Sequence, residues 1–173
     1  MNISLLSNKY NVKRIEPSDI EIVYELCCNN SLYYQYYPPF VSTQSIKDDM
    51  SALPPNKTLK DKYYVGYYEG NKLIAVMDLI MGYPEESVAF IGFFMTDIYV
   101  QNKGIGSSII EELCAALSQF GVSSIRLGWV RGNPQAEYFW HKNGFAETGA
   151  TYETDNYTVV VAQRSLLKAM ISI

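Results

Sequence analysis

Between an apolar run that ends at Thr96 and an amphipathic run that opens near Gly104 stands Gln101-Asn102-Lys103-Gly104-Ile105-Gly106. A glycine-containing turn that leads into a helix leaves several backbone N–H groups without intrahelical acceptors. They converge on one point, where the helix dipole also favours negative charge. Glycine at 104 and 106 keeps side chains out of the path of an approaching anion. The chemistry expected of this segment is therefore the binding of a phosphate or pyrophosphate. It is not the dinucleotide fingerprint, because it holds one Gly-x-Gly pair and no acidic residue closes a following parallel strand at the right distance. Nor is it a P-loop, since no Gly-Lys-Ser or Gly-Lys-Thr follows. A pattern this short arises readily by chance, so it needs a second signal. That signal is Gly132-Asn133-Pro134-Gln135-Ala136-Glu137-Tyr138-Phe139-Trp140-His141-Lys142-Asn143-Gly144-Phe145. Asn133 suits an N-cap, Pro134 the first helical position and Gly144 a left-handed stop, which specifies both ends of a short helix.

These residues need elements to carry them. The spacing predicts a strand over Asn11–Ile15, then a helix that starts at Pro17-Ser18-Asp19 and buries Ile20, Val23, Tyr24, Leu26 and Cys27. A weaker helix is expected over Ser42–Leu53, capped by Ser42 or Thr43. Between them Tyr33, Tyr34, Tyr36, Tyr37, Pro38, Pro39 and Phe40 concentrate aromatic rings in what reads as irregular structure. The rings either pave an acceptor pocket, with Tyr33 and Tyr36 as contacts, or cover the edge of a sheet. Lys62–Glu69, Lys72–Met81 and Ser87–Thr96 read as three antiparallel strands joined by turns at Gly70-Asn71 and Gly82–Glu86. A helix (Gly104–Phe120), a strand (Ser123–Val130), the second helix (Pro134–Asn143) and two strands (Phe145–Thr151 and Tyr157–Arg164) follow. The pattern gives a mixed sheet with helices on its faces. Leu166, Leu167, Met170, Ile171 and Ile173 form an apolar tail that could pack on a second subunit as a homodimer contact or complete the chain's own core.

Composition removes several function classes. A chain of 173 residues, 48% hydrophobic, fits one domain over residues 1–173. A net charge of −4 and a pI near 5.0 lack the basic excess that nucleic-acid binding needs, and leave room for a cationic or amine-bearing partner. Cys27, Cys28, Cys114 and the lone His141 have no metal-ligand or disulfide spacing. No apolar run reaches membrane-spanning length and Met1–Tyr10 does not read as a signal peptide, so a cytoplasmic location is expected.

The two segments, in this order and at this separation, resemble the GNAT superfamily of acyl-CoA-dependent N-acyltransferases. The likeness runs from about Val12 to Arg164. It implies an α/β (α+β) fold: a mixed, mostly antiparallel sheet of about six to seven strands, helices on both faces and a V-shaped splay between central parallel strands. It implies acetyl-CoA as cofactor, with Phe94, Met95 and Thr96 pairing with the pantetheine arm. Gln101, Asn102, Lys103, Gly104, Ile105, Gly106 and Ser107 would surround the pyrophosphate, with Asn133 and Trp140 along the arm. The implied reaction is direct attack by the amine of a small molecule or peptide on the thioester carbon. Two departures matter. Trp140 stands where the family often has a tyrosine able to protonate the leaving thiolate, and an indole N–H cannot do so. Phe90 stands where some members carry a glutamate base. Asp97, at the strand end beside the expected splay, is the candidate base or else a turn residue bonding local backbone, and Asp78, inside an apolar strand, is a second acidic candidate on the substrate side or else a carboxylate facing water or a satisfied partner. These departures also motivate the alternative of a non-catalytic acyl-CoA-binding or sensing module.

Overall fold

The computed structural model describes residues 1–166 and pairs seven strands in one sheet, in the order β1-β2-β3-β4-β5-β7-β6. In chain order these are β1 (Asn11–Arg14), β2 (Lys62–Glu69), β3 (Lys72–Met81), β4 (Val88–Thr96), β5 (Ser124–Val130), β6 (Ala146–Glu153) and β7 (Thr158–Ser165). Leu73 to Ile80 of β3 are all buried, as a central strand covered on both faces requires. One face carries α1 (Ile20–Cys28), α2 (Ser31–Tyr36) and α3 (Thr43–Ser51). There Val23, Leu26, Cys27 and Ile46 pack with Tyr64, Tyr68, Val76 and Met95. The other carries α4 (Ile105–Gln119) and α5 (Pro134–Lys142), where Ile109, Ile110, Leu113 and Leu117 join Val65, Tyr67, Met77 and Leu79.

All neighbouring strands are antiparallel except β4 and β5. Those two pair in parallel only from Val88–Ile91 to Ser124–Leu127, and then separate. A bulge explains the parting. The register of β4 on β3 jumps between Asp78 and Leu79, which leaves Gly92 without a partner. An extra residue in one strand bends it and increases its twist, here at the point where pairing with β5 stops. β5 meanwhile stays zipped to β7 as far as Val130.

The expected elements are present with shifted ends, and the expected splay between parallel strands is there. One segment differs: Tyr33 and Tyr36 lie in the short helix α2 and not in irregular chain. Of the apolar tail, Leu166 packs against the core, while Leu167, Met170, Ile171 and Ile173 lie outside the described residues. No helix among the described residues is long and apolar enough to cross a membrane.

Candidate active site

At the start of α4 the chain makes a tight turn through Asn102 (φ 58°) and Gly104 (φ 78°), both left-handed. Gly104 is the N-cap and has no side chain to accept from the first-turn amides. Nothing lies within 4 Å of where its Cβ would stand, so the site is open and the glycine is required by the backbone. Gly106 serves another purpose: its Cβ would fall 3.1 Å from the Phe139 ring, so it permits α4 and α5 to approach. Gln101 lines the opening, and its side-chain amide is engaged by the protein. Its Nε2 donates to Asn30 Oδ1 (2.6 Å) and to the Thr96 carbonyl (3.2 Å), fastening the turn to the end of α1 and to β4. Lys103 donates to the Tyr99 carbonyl at 2.8 Å, and Ile105 packs on the core.

α5 begins across the same opening. Asn133 is buried, and its Oδ1 accepts from the Ala136 N–H at 3.2 Å as an N-cap. Pro134 occupies the first turn, as expected from its fixed φ. Between the two helix starts runs a cleft of about 350 Å³ lined by Phe94, Met95, Thr96, Asn102, Gly104, Gly106, Ser107, Asn133 and Trp140 among others. It continues into the gap between β4 and β5, a second chamber of about 180 Å³. Phe94, Asn133, Ala136 and Trp140 line both. The edge of β4 that β5 abandons therefore faces the cleft, with an uncapped helix start at one end and a chamber at the other.

A profile of the Acetyltransferase (GNAT) family matches residues 29–145. The chain belongs to the GNAT acetyltransferase family. It is thereby an acyltransferase, and GNAT enzymes use acetyl-CoA. No curated protein sequence matches it significantly. Solved structures of the same fold include an acetyltransferase from Thermus thermophilus, 17% identical with a TM-score of 0.68, over 91% of this chain and 97% of that one. Ard1 from Thermoplasma volcanium is 20% identical with a TM-score of 0.67, covering 92% and 99%. The PaiA N-acetyltransferase from Thermoplasma acidophilum, solved with coenzyme A, is 16% identical with a TM-score of 0.66, covering 90% and 98%.

Within this GNAT fold the acidic candidates part ways. Asp97 is a structural residue: its Oδ1 accepts from the Tyr99 N–H at 2.9 Å, and its Oδ2 pairs with Lys72 Nζ at 2.7 Å. It caps the 3-10 turn Ile98–Val100 and lines neither chamber, which favours the turn residue over the base among its two expected roles. Asp78 is buried on the α1–α3 face, where its Oδ2 accepts from Lys62 Nζ at 2.7 Å. Its Oδ1 is buried with no hydrogen-bond partner. Burial pushes the Asp78 carboxyl above the ordinary carboxylate range, and Lys62 pulls it partly back. Asp49 on α3 is raised to about 6, first by the protein packed round its carboxyl and then by the Asp78 charge.

The aromatic segment takes part unevenly. Tyr33 lines both chambers and Tyr37 the inner one, whereas Tyr36 lines neither. Burial raises the phenols of Tyr33, Tyr37 and Tyr64 far above neutrality, so each stays protonated. Asn30 and Tyr157 were not singled out by sequence. Asn30 donates to the Leu26 and Thr96 carbonyls (2.9 and 3.2 Å) and lines the cleft. Tyr157 lies in the turn before β7 and stacks on Tyr37 with ring centroids 5.1 Å apart. The link from Asn30 to Thr96 and that from Tyr157 to Tyr37 have no local signature, because these partners are distant in the chain.

Proposed function

We propose that this chain transfers an acetyl group from acetyl-CoA to a primary amine of a small molecule or peptide, by direct attack in a ternary complex. The observation that carries the reading is the uncapped, left-handed start of α4, opening on a cleft that runs along the abandoned edge of β4. Residues present there fit the cofactor. The amides of Ile105, Gly106 and Ser107 suit the pyrophosphate, because they are first-turn donors beside a positive dipole end. Phe94 and Met95 offer strand backbone to the pantetheine arm. The Thr96 carbonyl contributes less than the sequence suggested, since Asn30 and Gln101 already donate to it. Asn133, its Oδ1 engaged as a cap, has its amide Nδ2 for a carbonyl of the arm. Trp140 and Lys142 also line the cleft.

When bound, acetyl-CoA supplies a thioester whose carbonyl carbon accepts the nitrogen lone pair. The protein positions the two reactants in the splay, and a backbone N–H near Met95 meets the oxygen as it gains charge. Neither group requires a side-chain acid at Trp140. Calorimetry with CoA tests the cofactor site, and free-thiol release on incubation with acetyl-CoA and polyamines, amino acids, aminoglycosides and N-terminal peptides tests turnover. CoA binding together with amine-dependent thiol release is expected. Tight CoA binding without thiol release from any acceptor would establish the binding-module alternative instead.

A further inference from the structure

Beyond Ile91, β4 has no β5 backbone to pair with, and at Thr96 two side chains take its place. The Thr96 carbonyl accepts from Asn30 Nδ2 and from Gln101 Nε2, each at 3.2 Å. The two side chains also meet each other, because Gln101 Nε2 donates to Asn30 Oδ1 at 2.6 Å. Asn30 Nδ2 reaches back as well to the Leu26 carbonyl in α1, at 2.9 Å. Asn30 is buried, and both ends of its amide are thereby satisfied, as a buried polar group requires.

Asn30 is also where α2 begins. Its own carbonyl accepts from the Tyr33 N–H at 3.1 Å. Tyr33 lines both chambers, and its ring packs edge-on against Phe93 of β4 with centroids 5.8 Å apart. Otherwise α2 is thinly held: it has six residues, too few to be helical alone, none of them is fully buried, and no side chain caps its first turn. Its seat depends on Asn30 and on the ring contacts of Tyr33. On the other side of Asn30, Gln101 belongs to the turn that runs through Asn102 and Gly104 into α4. One buried side chain thus bonds to the abandoned edge of β4 and to the cofactor turn, and its own backbone opens the helix that carries Tyr33.

We propose that Asn30 is a positioning residue that links the two ligand sites: CoA held at the turn orders α2 through Gln101 and Asn30, and so seats Tyr33 where the chambers join. The inference rests on the acetyltransferase reading and adds to it a path from the cofactor to the acceptor wall. Its physical ground is entropic. A diphosphate gripped by the first-turn amides of α4 holds the backbone next to Gln101, which narrows the motion of the Gln101 amide. Asn30, bonded to that amide, is narrowed with it, and the carbonyl that starts α2 belongs to Asn30. Binding that stiffens one element lowers the cost of ordering another bonded to it, with no change of mean structure. A short helix with few buried contacts opens at low free energy, so α2 is where such stiffening registers.

Amide hydrogen exchange tests the link with CoA itself as the probe, on the wild-type protein, Asn30→Ala, Gln101→Ala and the double variant, each with and without saturating CoA as fixed by calorimetry. In the wild type CoA should slow exchange at the turn and, by about fivefold or more, at the amides of α2, a factor at the low end of couplings between sites. Both single variants should keep the protection at the turn and lose it at α2. An Asn30 that merely supported the fold would speed α2 exchange equally in both states, and the ratio with and without CoA would stay at its wild-type value. Gln101→Ala guards against a folding defect, since it leaves the bonds of Asn30 to Leu26 and Thr96 in place and removes no donor from α2. The double variant should lose no more than either single one, because the two bonds act in series. An α2 that does not respond to CoA in the wild type, or a wild-type ratio in either single variant, would overturn the proposal. Calorimetry separates the two failures: a wild-type protein that binds no CoA defeats the acetyltransferase reading and this link with it, whereas CoA binding without a response at α2 defeats the link alone.

Discussion

At the start of α4, Asn102 and Gly104 turn the backbone left-handed and present amides to the cleft. On the far side of the splay, Tyr33 and Tyr37 bring rings from α2 and the chain beyond it to the other chamber, and Tyr157 backs Tyr37 from a hairpin turn. The first wall needs one local turn, so few sequences can form it and its ligand is nearly fixed: an anion. The second depends on side chains that can change singly without disturbing the fold, so acceptor choice can drift there while the cofactor site stays put. α5 sharpens the contrast, since it opens on the same cleft but Asn133 satisfies its first turn internally. Of the two helix starts, the α4 one keeps its donors for a ligand.

The largest expected effect breaks the α4 side of this comparison. Gly104→Val places a β-branched residue at φ 78°, which costs on the order of 1–3 kcal/mol if the turn is held. With nothing within 4 Å of the new Cβ, the damage passes through the backbone and not through a clash. CoA affinity should fall tenfold or more by calorimetry, while Gly104→Asn, whose residue tolerates left-handed backbone, should retain most of it. Equal affinity for all three proteins would mean that the turn does not bind the cofactor.

How much of this could be read from the sequence depended on the distance between partners. The turn at Gln101–Gly106 and the helix from Asn133 to Gly144 carry their caps and stops within a few residues, so both were legible. The meander was legible for the same reason, through Gly70-Asn71 and strand alternation. Asp78 was visible as a charge in an apolar strand, but its partner Lys62 lies on the neighbouring strand and its packing against Gly92 depends on the bulge there. A glycine inside a strand is a known sign of a bulge, and that was the available clue. Asn30 bonds to Thr96 and Gln101, 66 and 71 residues away, which no local pattern encodes. Asp97 read two ways because a carboxylate at a strand end serves equally as a base or as a turn cap.

A smaller effect separates the two duties of Asn133. Asn133→Ala removes the cap on α5 and should lower stability by about 1 kcal/mol, together with cofactor affinity. Asn133→Ser keeps an acceptor for the Ala136 N–H and deletes only the amide donor. It should unfold near the wild-type denaturant midpoint yet show a several-fold higher KM for acetyl-CoA. If Asn133→Ser proves as unstable as Asn133→Ala and equally impaired, the residue acts through the helix alone.

The smallest effect belongs to the acceptor side and is one of pH. Asp49 rises from an ordinary 3.8 to about 6 in the folded chain, so it keeps its proton there while the unfolded chain releases it. The stability this group contributes is complete below pH 3.8 and is lost as pH climbs through about 6. Asp49→Asn cannot ionise, so its stability relative to wild type should increase between pH 4 and pH 7. Because Asp49 keeps solvent access, the gain should be about 1 kcal/mol or less. Urea unfolding at the two pH values measures it, and CoA affinity at pH 7 should stay unchanged, since α3 takes no part in the wall that meets the cofactor. A variant that lost CoA affinity would show instead that charge on the acceptor side reaches across the splay.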